Sequence, residues 1–236
     1  AHGLDPRGYH LTNLLLHALA GALLWQLLRR TLGHTRLVSH REIVAAGATL
    51  LWLLHPLQTE TVICVIQRNE ILVAISLLAV LLALERAASP RPRGAVLIAA
   101  FAAFAGVASK EVMAVAPVLT LLHARNSLPV ASAWLPLAAL VAGHGQRAGT
   151  AGFGLGTTVW DYLVMQCDAL ATYARLVVWP HPLVLDYGPD LTTSLAAVLP
   201  QAVFVLVLLA GTVVALWIQP AVGFAAAEAL ILLARS

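Results

Sequence analysis

Eight apolar runs punctuate the chain, at residues 11–28, 43–54, 71–84, 95–108, 112–122, 130–142, 195–218 and 221–233, and polar loops bearing most of the arginines separate them. A bilayer core takes about 20 helical residues to cross. The first and seventh runs approach that length unaided. The others reach it once flanking polar residues join the helix ends, with Arg and Glu side chains snorkelling toward the headgroups. Composition points the same way. Of 236 residues, 60% are hydrophobic and 11% charged, against about a quarter charged in an ordinary soluble domain. A soluble domain could not cover its surface with so little charge. Disordered chains and small disulfide scaffolds are excluded as well. The expectation is an all-α polytopic membrane protein of about seven to eight transmembrane helices plus an external amphipathic interfacial helix. Residues 1–142 read as a first membrane helical bundle, 143–190 as an external loop carrying the amphipathic helix, and 191–236 as C-terminal membrane helices.

Charge sidedness supports strict alternation. With the loop from Arg29 to Glu42 in the cytoplasm, that side receives Arg29, Arg30, Arg36, Arg41, Arg86, Arg91, Arg93 and Arg125. The other side receives Arg7, Arg68, Lys110, Arg147 and Arg175, spread thinly, which fits the positive-inside rule. It also receives Asp5, Glu60, Glu70, Glu111, Asp161, Asp168, Asp186 and Asp190, eight of the 11 carboxylates. This alternation needs a helix break at Ser109-Lys110-Glu111. A single helix over 95–122 would bury an adjacent ion pair in lipid and invert everything after it. Net charge is +3, and no basic run interleaves with aromatics, so no nucleic-acid partner is expected. Cys64 and Cys167 have no metal or disulfide spacing and read as small apolar fillers.

Within 143–190, Gly149, Gly152, Gly154 and Gly156 lack the spacing of a phosphate cradle and read as a flexible loop. Trp160, Leu163, Val164, Cys167, Leu170, Ala171, Ala174, Val177 and Val178 then recur every three or four residues. Asp161, Asp168, Thr172 and Arg175 occupy the other side, and Pro180 and Pro182 end the helix.

Four constellations could carry chemistry. His55-Pro-Leu-Gln-Thr-Glu60, followed by Gln67-Arg68-Asn69-Glu70, places ionisable groups at the external surface, as functional groups or as interfacial anchors. If the chain is helical from Thr61 onward, Arg68 and Glu70 fall roughly 160–200° apart and reach different partners. Ser109-Lys110-Glu111 offers the sole lysine, either as an anion site or as a solvated helix break. His10, Asn13 and His17 share one helix face, for interhelical hydrogen bonds or a metal. Arg175, with Trp179-Pro-His-Pro-Leu-Val-Leu-Asp186-Tyr-Gly, is a second phosphate candidate or a plain proline-rich helix exit.

Taken in order, Gly8-Tyr-His-Leu-Thr-Asn-Leu-Leu-Leu-His17, His55-Pro-x-x-Thr-Glu60 with Arg68-x-Glu70, Ser109-Lys-Glu111, Tyr173-x-Arg-Leu-x-x-Trp-Pro180 and Leu185-Asp-Tyr-Gly188 resemble the membrane portion of tetratricopeptide-associated glycosyltransferases. These belong to the polyprenol-dependent C-type superfamily, related to protein O-mannosyltransferases. The resemblance runs from about residue 3 to 190. It implies transfer of a sugar, with inversion, from a polyprenyl-phosphate carrier to an acceptor protein or glycan on the non-cytoplasmic face, with a divalent metal ion near the catalytic acid. It implies catalytic roles for Glu70 and Glu60, and donor and lipid-phosphate roles for Arg68, Lys110, Arg175 and His55. The metal ligands stay unassigned. The family's principal aspartates precede the Gly-Tyr-His-Leu segment, where this chain has only Asp5, and the tetratricopeptide tail is not in the sequence. The chain also starts at Ala1 and not at Met. The expectation is therefore an N-terminally truncated fragment, inactive in isolation, from a bacterial inner membrane given the Arg- and Ala-rich composition.

The competing reading is a membrane transporter or lipid-handling protein. Transporters place ionisable groups near the midplane on broken helices, whereas here they gather at the external ends of spans. A third reading, a structural membrane scaffold, would leave Glu70 and Lys110 indifferent to substitution.

Overall fold

The computed structural model describes residues 6–64, 67–87, 93–110, 113, 159–184, 195–219, 223 and 226. The runs expected at 112–122, 130–142 and 221–233 lie outside these residues but for single positions. So do Glu111, the glycine-rich loop and the Leu185-Asp186-Tyr187-Gly188 motif. Every regular element among the described residues is helical. The chain divides into two compact units, Ala1–Ala139 and Leu140–Ser236.

The first unit holds α1 (Pro6–Leu32), a 3-10 turn at Val38–His40, α2 (Arg41–Leu53), α3 (Gln58–Ile63), α4 (Arg68–Ala87) and α5 (Arg93–Ser109). Side-chain pairs fix their directions. Gly21 of α1 meets Leu53 at the end of α2, and Arg29 reaches Glu42 in the first turn of α2 at 3.6 Å, so α1 and α2 are antiparallel. Arg68 bonds to Asn13 near the start of α1, and Thr31 donates to Glu85 near its end at 3.3 Å, so α1 and α4 are parallel. Lys110, just past α5, pairs with Glu70 in the first turn of α4, so α4 and α5 are antiparallel. One end of this unit therefore collects Arg29, Arg30, Arg36, Arg41, Glu42, Glu85, Arg86 and Arg93. The other collects Arg7, Glu60, Arg68, Glu70 and Lys110.

Local chemistry sets the helix limits. Pro56 has no N–H to continue the ladder of α2, and Leu54 closes it by donating to Leu50 O at 2.9 Å. Glu70 lies in the first turn of α4 and Arg86 in its last, each at the end where the helix dipole favours its charge. α5 stops at Ser109, whose hydroxyl turns back to Ala105 O at 2.8 Å. The break lies where the alternating topology requires one.

α4 buries Ile71, Val73, Leu77, Val80, Leu81, Leu82 and Leu84 as a soluble helix would, whereas α1 and α5 turn large apolar side chains outward. Asn13, His17, Thr49 and Ser76 are buried, while Leu11, Leu14, Leu15 and Leu19 of α1 lie exposed. α5 turns a stripe of small residues, Ala95, Ala99, Ala102, Ala103 and Gly106, inward and exposes Leu97, Ile98, Phe101 and Phe104. Backbones that approach through small residues while large apolar side chains face outward suit a hydrocarbon solvent, because burying leucine between helices gains nothing there.

The second unit holds α6 (Val159–Val178) and α7 (Leu195–Ile218), packed on each other. α6 ends at the two expected prolines, with Trp179 N donating to Arg175 O at 2.7 Å. The apolar set read for α6 divides: Val164 and Leu170 are buried, while Trp160, Leu163, Val177 and Val178 are exposed. Asp168, read on the polar side, accepts a hydrogen bond from Gln201 Nε2 of α7 at 3.3 Å.

By length and composition, two helices among the described residues can cross a membrane: α1, and Val198–Ile218 within α7. α4 has 20 residues but carries Arg68 and Glu70 at one end and Glu85 and Arg86 at the other. α2 has 13 residues, well short of a span.

Candidate functional site

The arginine-poor end of the first unit is built by the start of α1, the segment from His55 to Cys64, Gln67 with the start of α4, and the end of α5. Asn13 anchors it. Its Oδ1 accepts from Arg68 Nε at 2.8 Å, and its Nδ2 donates to Val62 O at 3.2 Å and to Cys64 O at 3.4 Å. Four residues on, His17 Nε2 contacts Leu53 O at 3.2 Å, and its ring stacks on Trp52 with centroids 5.0 Å apart. Asn13 and His17 thus serve interhelical hydrogen bonds, the use weighed for this stripe against a metal.

Helix does not run unbroken from Thr61 to Glu70. Cys64 is extended, with φ −78° and ψ 120°, which ends α3. Arg68 and Glu70 both fall in the first turn of α4 and take different partners. The Arg68 guanidinium goes to Asn13, lies 3.5 Å from Tyr9 O through Nη2, and stands over the Tyr9 ring at 5.7 Å. Glu70 Oε1 instead accepts from the Lys110 ammonium. That pair is half-buried, with 33% of the Lys110 side chain and 38% of the Glu70 side chain exposed. An ammonium has three donors, so Lys110 retains capacity toward an anion while Glu70 holds it in place.

Glu60 is exposed and accepts from Gln67 Nε2 at 2.9 Å. His55 Nδ1 accepts from Leu57 N at 3.2 Å, which orients the ring within its own turn. Arg175 belongs to the second unit. It is exposed at the end of α6, beside a shallow groove lined by Ala171, Ala174, Pro200, Gln201 and Phe204. The fit to a divalent metal is poor among the described residues. No three His, Cys, Asp or Glu side chains gather there, and the Glu70 carboxylate already faces a positive ammonium. Asn13 was legible as an interhelical hydrogen-bonding residue, but not its partners at the α3–α4 junction. A polar residue inside an apolar run was the available signal, but its partners lie more than 45 residues away.

No family model and no solved structure matches the chain. Similarity does extend to two curated proteins of Drosophila melanogaster. Protein O-mannosyl-transferase Tmtc3 is 40% identical over 95 residues, covering 34% of this chain and 10% of the relative. Protein O-mannosyl-transferase Tmtc1 is 34% identical over 111 residues, covering 47% of this chain and 12% of the relative. The chain thus matches only about a tenth of the length of these curated relatives. Both are fly proteins, so they lend nothing to a bacterial inner-membrane location.

Proposed function

We propose that this chain is membrane-embedded machinery of a glycosyltransferase, moving a sugar from a polyprenyl-phosphate carrier to a protein hydroxyl on the non-cytoplasmic side. The observation that carries this reading is the Glu70–Lys110 pair, set beside Arg68 at the arginine-poor end of a bundle with apolar side chains turned outward. The similarity to two proteins named as O-mannosyltransferases supports it.

Transfer breaks the bond between sugar C1 and the phosphate oxygen and forms one between C1 and the acceptor oxygen. The acceptor proton goes to a base, and the polyprenyl phosphate leaves with the negative charge. Glu70 orients the acceptor hydroxyl or takes its proton, with Glu60 at the rim. Lys110 and Arg68 stabilise the phosphate, and His55 lines the donor side. At a lipid–water boundary these charges act in a lower dielectric than water, which strengthens their hold on a departing phosphate.

The test is sugar transfer by the full-length protein in membranes, from a polyprenyl-phosphate mannose donor. Glu70→Gln and Lys110→Ala each abolish transfer while membrane insertion is kept. Retained transfer in either variant refutes its assignment, and a wild-type protein that moves a lipid across the bilayer without transferring sugar favours the transporter reading.

A further inference from the structure

Asn13 sits inside the first apolar run with no exposed surface, yet every polar atom of its side chain is used. Oδ1 accepts from Arg68 Nε at 2.8 Å, and Nδ2 donates to Val62 O at 3.2 Å and Cys64 O at 3.4 Å. A guanidinium only donates and a carbonyl only accepts, so one orientation of the amide satisfies all three. The two carbonyls lie where α3 gives way to extended chain, where backbone groups lose their helical partners.

We infer that Asn13 is a positioning residue, which pins the Val62–Cys64 segment and fixes Arg68 so that the first turn of α4 presents Glu70 to Lys110. The side chain acts through others and touches neither Glu70 nor Lys110. Asn13→Asp keeps the acceptor for Arg68 but sets a carboxylate oxygen against two carbonyl oxygens. Asn13→Ala removes all three bonds. Either change leaves buried polar groups without partners, a loss that typically opens a local segment.

The two free cysteines supply the readout, since both are partly exposed and Cys167 lies in the other unit. The full-length protein in membranes is treated with N-ethylmaleimide, and each site is followed by peptide mass spectrometry. In Asn13→Asp and Asn13→Ala, Cys64 reacts roughly tenfold faster while Cys167 keeps its wild-type rate. An unchanged Cys64 rate overturns the inference. So does an equal rise at both sites, which would make Asn13 a general fold residue only. The kinetic arm rests on the proposed glycosyl transfer: the same variants lower kcat as well as raise the donor KM, because Glu70 and Arg68 lose their placement together, and kcat and KM both unchanged overturn the link to the site. A wild-type protein without transfer activity would sink the proposed function and leave the maleimide rates to decide the role of Asn13.

Discussion

Lys110, the single lysine of the chain, places its ammonium on the carboxylate of Glu70, 40 residues earlier. The contact joins the end of α5 to the start of α4 and closes the arginine-poor end of the bundle. Both partners are about one-third exposed, so solvent and headgroups screen the pair and its net worth to folding is about 1 kcal/mol or less. A requirement for both residues in transfer would therefore reflect chemistry and not stability.

The charge-swapped double variant Glu70→Lys with Lys110→Glu separates those roles. It restores an ion pair at the same place but puts the carboxylate at the end of α5 and the ammonium on α4. Expression and thermal stability of the detergent-solubilised protein should stay near wild type, while sugar transfer remains abolished. Recovery of transfer by the swap would show that the pair matters only as a strut.

The α4–α5 contact depends on the absence of a side chain at Gly106. A Cβ there would stand 2.5 Å from Met113 Cγ and 3.0 Å from Ser76 Cβ. Met113 can swing its flexible end aside, but Ser76 Cβ is fixed to the α4 backbone. Gly106→Val should cost about 1–3 kcal/mol through overpacking. Phe101→Ala on the outward face, where Phe101 is 75% exposed, should change stability by about 0.5 kcal/mol or less in detergent. Thermal unfolding of the two variants side by side checks the contrast. Equal losses would mean that α5 packs through its large residues.

How much of this could be read from residues alone follows from the range of the interactions. Local signals were legible: the limits of α6 follow from its periodicity and from Pro180 and Pro182, and the stop at Ser109 from the cost of placing Lys110 in lipid. The break at Cys64 was not legible, because what stabilises it is the Asn13 amide, brought from 49 and 51 residues away by the packing of α1. The small-residue stripe on α5 was present as Ala95, Ala99, Ala103 and Gly106, but an apolar run of alanines gives no sign of which face meets a neighbour. Asp168 misled for a similar reason. A carboxylate on an amphipathic helix reads as solvated, yet it takes its hydrogen bond from Gln201. Glu70 and Lys110 were legible as separate groups at one boundary, and their direct contact needed the antiparallel packing of two helices.

Arg175 offers a clean separation of binding from folding. Its guanidinium is exposed at the end of α6 and makes no ion pair among the described residues. Arg175→Ala should therefore alter stability by about 0.5 kcal/mol or less. If the side chain holds the donor phosphate, the donor KM rises about tenfold, the weight of one charge-assisted hydrogen bond. Arg175→Lys should recover part of the loss, because a lysine keeps the charge without the bidentate fork. An unchanged KM in Arg175→Ala removes Arg175 from the phosphate site.

The directions of α1, α2, α4 and α5 make a prediction about sidedness that is independent of any enzymatic assay. Asn69 is exposed beside Glu70 at one end of the bundle, and Thr35 is exposed in the turn after α1 at the other. The second end carries Arg29, Arg30, Arg36, Arg41, Arg86 and Arg93 among the described residues, and the first carries Arg7, Arg68 and Lys110. Arginine-rich loops stay in the cytoplasm because translocating them is costly. In intact cells, with Cys64 and Cys167 replaced by serine, a membrane-impermeant maleimide should label Asn69→Cys, whereas Thr35→Cys should react only after permeabilisation. A cysteine at position 110 should behave like the one at 69, because Lys110 and Glu70 meet at the same end. Labelling of all three from outside would leave α1 and α4 short of a full crossing. Labelling of position 35 alone would place the Glu70–Lys110 pair in the cytoplasm, out of reach of an acceptor on the external face.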